Sequence, residues 1–155
     1  MDGTAFIITA LGLTLLCVIL MYGTQDPPLL AQLKQRYEVL LKVLQEDPDL
    51  DPRWEPLKKP VILTAMNGWS KSKGAIAYNV NKGYEIYVCM DNIGPRALNT
   101  AMHVLIHELS HSTVREYEHS DNFWKNFKDL KEYCARHDLY KFGYVGPYCG
   151  ENIRP

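Results

Sequence analysis

The chain carries no excess of either charge: 17 Lys and Arg stand against 18 Asp and Glu, for a net charge of −1. A protein built to grip nucleic acid would show a basic surplus, so nucleic acid is set aside as a partner. There is no internal repeat and no low-complexity segment, which argues against a solenoid or a compositionally disordered chain. Cysteines are few, and Cys17, Cys89, Cys134 and Cys149 never stand in C-x-x-C spacing, so a cysteine-rich zinc cluster is excluded. Cys17 reads as a small apolar residue. Cys134 and Cys149 are either a disulfide or two buried thiols. No N-x-S/T sequon is present, so nothing marks a glycosylated luminal domain. Apolar residues nevertheless make up 46% of 155, enough to pack the core of one modest domain.

Charge is also missing between Asp2 and Asp26. Residues 4–23, TAFIITALGLTLLCVILMYG, have the roughly 20 apolar residues that a spanning helix needs. Tyr22 stands at the end, where an interfacial aromatic belongs. A cleaved signal peptide would carry a basic n-region and a small-residue cleavage site, and a core helix would carry a polar face. The reading is therefore a single-pass anchor over 1–23. Lys34, Arg36 and Lys42 follow it, so the positive-inside tendency places the following domain on the cytosolic side, or on the equivalent side of a virion membrane.

After Asp26, the pair Pro27–Pro28 predicts a helix start. Leu30, Leu33, Tyr37, Leu40, Leu41 and Leu44 then recur at helical spacing. The Pro- and Asp-rich run 46–60 reads as a connector that is neither helix nor central strand. VILTAM (61–66) predicts a buried strand. AIAYNV (75–80) and YEIYVCM (84–90) flank Asn81-Lys82-Gly83 as a hairpin. Helices follow at 97–113, with an apolar stripe of Leu98, Met102, Leu105 and Leu109, and at 121–138, with Phe123, Phe127 and Leu130 on one face. The tail from 140, rich in Gly and aromatics, reads as irregular.

HVLIHELSH (103–111) carries the chemistry. His107 and His111 lie four apart, one above the other on a helix, and two such imidazoles reach one Zn²⁺ at about 2.0–2.1 Å. Glu108 is offset by one position, which places a carboxylate beside the metal as general base for its water. A catalytic zinc takes three protein ligands. The third is sought beyond the motif, at His119, where a turn in STVREYE would return the chain to the metal. His137, at the end of the next helix, reads as a surface or capping residue. His103 shares the face of His107, but three turns rise about 12 Å in all, too far for one ion. It is expected to pack or to support the site from behind.

HELSH followed by His119-Ser120-Asp121-Asn122-Phe123-Trp124 resembles the WLM and SprT-like zinc metalloproteases, over roughly residues 61–136. These show H-E-x-x-H and then a third His in an H-x-x-x-[FW] context. The interval from His111 to His119 is longer than is usual in WLM domains and shorter than in many SprT domains. The resemblance implies zinc on His107, His111 and His119, with Glu108 as general base, and a zincin-like α+β fold. In that fold a small antiparallel or mixed sheet packs on the H-E-x-x-H helix. It also implies a strand edge that pairs with extended substrate, for which YEIYVCM is the candidate; a plain sheet strand is the alternative. Tyr144 and Tyr148 are either packing residues or oxyanion donors. Compact proteins of this kind also resemble some encoded by large DNA viruses.

The expectation is thus an anchor over 1–23 and a zincin-like domain over 24–155. The function expected is a membrane-anchored zinc endopeptidase, in which Glu108 activates zinc-bound water against protein or peptide substrates. The alternative is a structural membrane or virion protein that keeps a zinc-bound scaffold without proteolysis.

Overall fold

The computed structural model describes residues 12–14, 26–66, 74–91 and 94–153. Helix α1 (Pro28–Glu46) begins where proline predicts, with Pro28 at its first turn, where no amide hydrogen is needed. Its buried side chains are Leu30, Leu33, Tyr37, Leu40 and Leu44, a single stripe that packs on the rest of the domain. The run after it is not wholly irregular. Pro52–Lys58 forms a 3₁₀ helix whose N-cap Asp51 accepts from the Arg53 amide. Trp54 and Leu57 are thereby turned into the core.

Three strands follow: β1 (Ile62–Ala65), β2 (Ala77–Val80) and β3 (Glu85–Val88). The order is β1-β3-β2, with β3 parallel to β1 and antiparallel to β2. The β2–β3 turn forms as expected. Asn81 and Lys82 both take φ of 50°, the left-handed region that tight hairpins require. Ile86 and Val88 are fully buried, while Tyr87 stacks on its cross-strand partner Tyr78, 4.7 Å between centroids, on the other face.

Helix α2 (Ala97–His111) sits at the centre, against α1, β2, β3 and α3 (Asp121–Arg136). Enclosed on these sides, it buries twelve of its fifteen residues, including the polar Asn99, Thr100, His103, Glu108 and Ser110. A single apolar stripe was too narrow an expectation for a helix with neighbours all round. The tail is irregular but tied down. Asn99 donates to the carbonyls of Lys141 and Tyr144 at 3.0 and 2.7 Å and accepts from the Lys141 amide at 2.8 Å.

Three expectations are corrected. Among the described residues no helix is long and apolar enough to cross a membrane. The longest, α1, has 19 residues and is crossed by Lys34, Arg36, Glu38 and Lys42. The expected anchor over 1–23 falls outside the described residues except for 12–14. The fold is therefore α+β with a small mixed sheet and no transmembrane helix shown, and the single-pass localisation loses its support. Second, the disulfide joins Cys89 to Cys149, while Cys134 is a free buried thiol. Third, YEIYVCM contains β3, the central strand, whose two edges are already paired by β1 and β2. It has no free edge to offer a peptide.

Candidate metal centre and active site

The two ends of the site come from different parts of the chain. His107 and His111 project from consecutive turns of α2. His119 arrives from the loop after it, one residue before Ser120, whose hydroxyl caps α3 by accepting from the Phe123 amide. The three present ligand nitrogens all within 4.8 Å of one another. His107 Nε2 and His119 Nε2 lie 3.0 Å apart. Two nitrogens held at about 2.0–2.1 Å by one tetrahedral ion sit about 3.3–3.4 Å apart, close to the His107–His119 spacing, so the three histidines could hold a metal ion. Beneath them lies Phe123, fully buried, with its ring centroid 4.9, 4.4 and 4.6 Å from those of His107, His111 and His119. This platform limits how the three rings can turn. On the sequence alone Phe123 was only an apolar face residue and part of a motif.

The loop from His111 to His119 is held from two sides. From the hairpin, Lys82 donates to the Val114 carbonyl at 3.2 Å and to the Arg115 carbonyl, and its ammonium lies 4.3 Å from the Tyr117 ring centroid. Gly83 packs so closely on Ser112 that an added Cβ would stand 2.7 Å from its Oγ, at a φ of +99°. From the other side, Asn126 donates to Thr113 Oγ1 at 2.8 Å and accepts from Arg53 at 2.7 Å. Arg53 is itself clamped by Asp51 and Asp129 at 2.7 and 3.0 Å. The connector that looked structureless thus braces the loop carrying His119. These holders are distant in sequence, and no local pattern marks them.

The helix is fixed as well. Asn79 on β2 donates to the Glu108 carbonyl at 2.9 Å and accepts from the Gly83 amide at 2.6 Å. Glu108 is buried, at 8% exposure, and lines the same cleft of about 1140 Å³ as the three histidines. Burial pushes its carboxyl up from 4.5 to about 7. His107 moves the other way, to about 3, first by burial and then by the neighbouring His111, His119 and His103. Burial first, then His119 and Lys82, lowers His111 too. Neutral imidazole is the form that binds metal.

The opposite shifts make a test. Glu108 is raised in the folded state, so its contribution to stability is present below about pH 4.5 and is lost as pH rises through about 7. Replacing it by Gln removes that loss. Metal-free Glu108→Gln should match the parent near pH 4 and exceed it by about 3 kcal/mol above pH 8, at 1.36 kcal/mol per unit. Urea melts at the two pH values measure this, and equal stability at both would show that Glu108 is not held in a desolvated site.

His103 is not brought to the metal site. Its Nδ1 lies 3.0 Å from the Tyr140 hydroxyl, and its ring meets Phe127 edge-on at 5.1 Å. His137 is the exposed C-cap of α3. Tyr148 is fully buried and donates to the Cys89 carbonyl, and Tyr144 lines a separate cavity beside Leu98 and Pro28. Neither tyrosine is placed to serve as an oxyanion donor.

Compared with known proteins, the chain matches no family model, no curated protein and no solved structure.

Proposed function

We propose that the protein is a zinc-dependent peptidase, of the kind the WLM and SprT-like resemblance implies. The observation that carries this reading is the convergence of His107, His111 and His119 beside a buried glutamate in an open cleft. A structural zinc site closes its coordination with protein ligands and has no use for Glu108. A bound zinc would supply Lewis acidity, polarising a carbonyl and acidifying water at neutral pH. The chain supplies the rest. His107, His111 and His119 would hold the ion through their ring nitrogens. Glu108 would take the proton of the attacking water and return it to the leaving amine, a role its buried place in the cleft beside the three histidines suits. Asn79 keeps the Glu108 backbone in place.

The test uses full-length protein purified without chelator. It should carry about one zinc per chain, as a three-histidine site predicts. It should cleave an unfolded protein substrate, stop when a chelator is added, and recover with zinc. A folded chain that takes up no zinc would make the histidines packing residues and overturn the peptidase reading, whereas bound zinc without cleavage would leave a structural zinc scaffold in its place.

A further inference from the structure

Helices α2 and α3 run side by side through the cleft with their side chains in register. His111 meets Phe123 at 4.4 Å, His107 meets Phe127 at 5.4 Å, and His103 meets Phe127 at 5.1 Å. One turn further along α3, in line with Phe123 and Phe127, stands Lys131. Only 9% of it is exposed, yet it lines the cleft with His103 and His107. Its ammonium lies 4.6 Å from the Phe127 ring centroid and 5.8 Å from that of Phe142.

A cation this enclosed is normally paired with a carboxylate, because leaving it unpaired costs several kcal/mol. Aromatic faces offset only about 0.5–2 kcal/mol of that. Among the described residues no carboxylate reaches Lys131 within ion-pair distance. Glu108, Glu116 and Glu151 line the same cleft but make no such pair. Its neighbour Lys128 is exposed and only loosely paired with Glu132, at 4.0 Å. The cleft therefore holds a buried positive charge whose counter-charge is absent from the described chain. His103 and His107 are four residues apart, a rise of about 6 Å. An extended peptide advances at most about 3.3–3.6 Å per residue.

We infer that Lys131, walled by Phe127 and His103, is a carboxylate-binding subsite that selects substrates bearing an anionic group one or two residues from the bond at the metal site. This rests on the peptidase reading and adds the substrate class. The carboxylate is either an Asp or Glu side chain or a free C-terminus; both present the same planar anion to the ammonium.

The experiment reads binding, so it does not depend on turnover. Full-length, zinc-loaded Glu108→Gln protein is titrated with short labelled peptides followed by fluorescence anisotropy. One pair differs only by Glu against Gln, with the substituted position scanned along the peptide. A second pair differs only by a C-terminal carboxylate against an amide. The acidic member of one pair should bind about tenfold tighter, the scale of a hydrogen-bonded charged contact, and which pair responds identifies the source. Adding Lys131→Met should bring the ratio to about one, whereas Lys131→Arg should keep it. If Lys131→Met loses zinc or fold, salt decides on the unsubstituted lysine: the ratio should shrink as ionic strength rises. Equal binding of both members of both pairs, or a preference that survives Lys131→Met, overturns the subsite. If the preference depends on Lys131 but protein with Glu108 intact cleaves none of these peptides, the hydrolytic reading fails and the subsite stands. Cleavage without preference has the opposite meaning.

Discussion

In Glu108→Gln protein, peptide hydrolysis should fall by about 10²–10⁴-fold, the range that a positioned general acid–base contributes, while zinc content stays unchanged. Glutamine has the same shape and can still accept a hydrogen bond, but it cannot take up a proton at neutral pH. The backbone contact that orients the residue, from Asn79 to the Glu108 carbonyl, does not involve the side chain and survives the change. Zinc analysis and initial rates on the same preparation separate the two effects. Unchanged cleavage would show that the proton passes through another group and would remove Glu108 from the mechanism. Loss of zinc as well would make Glu108 part of the metal site. The same variant is expected to be more stable than the parent at alkaline pH in the metal-free state, because a desolvated carboxylate is no longer required. Gain of stability with loss of activity is the signature of a group kept for chemistry at the expense of the fold.

The second large effect separates the histidines. His119→Ala should abolish high-affinity zinc binding, whereas His103→Ala should leave it intact. The reason is geometric: His119 Nε2 lies 3.0 Å from His107 Nε2, while His103 turns its Nδ1 towards Tyr140. Zinc at roughly 1,000 times its dissociation constant adds about 4 kcal/mol to stability, or roughly 10 °C in melting temperature for a domain of this size. That zinc-dependent shift should vanish in His119→Ala. In His103→Ala both melting temperatures should drop together, since a buried ring and its hydrogen bond are lost, and the shift between them should persist. If His103→Ala cancels the shift and His119→Ala does not, the ligand set is wrong.

The parts of the site that follow from local periodicity were legible in the chain. An i, i+4 pair of histidines on a helix faces one point whatever surrounds it, so His107 and His111 could be placed from spacing alone. The start of α1 at Pro28 and the hairpin at Asn81-Lys82-Gly83 follow from backbone restrictions on single residues. The pairing of strands does not. Nothing within YEIYVCM distinguishes a central strand from an edge, because that depends on β1, more than twenty positions earlier, lying parallel beside it. The disulfide partner of Cys149 was equally invisible. The pairing to Cys89 spans 60 positions and is set by where the tail crosses the end of β3, not by spacing.

What the sequence by itself determined is the chemistry on offer: two histidines one turn apart, a glutamate between them, a third histidine within reach, and little charge bias to suggest nucleic acid. Only the tertiary structure decided how that chemistry is held. It ran Arg53 and Asn126 under the His119 loop, clamped the other side with Lys82, slid Phe123 beneath all three imidazoles, and left Lys131 buried in the cleft with no carboxylate beside it among the described residues. The physical reason is that helices and turns are specified by near neighbours, whereas burial, counter-charges and the bracing of loops come from residues that meet only when the chain has closed on itself.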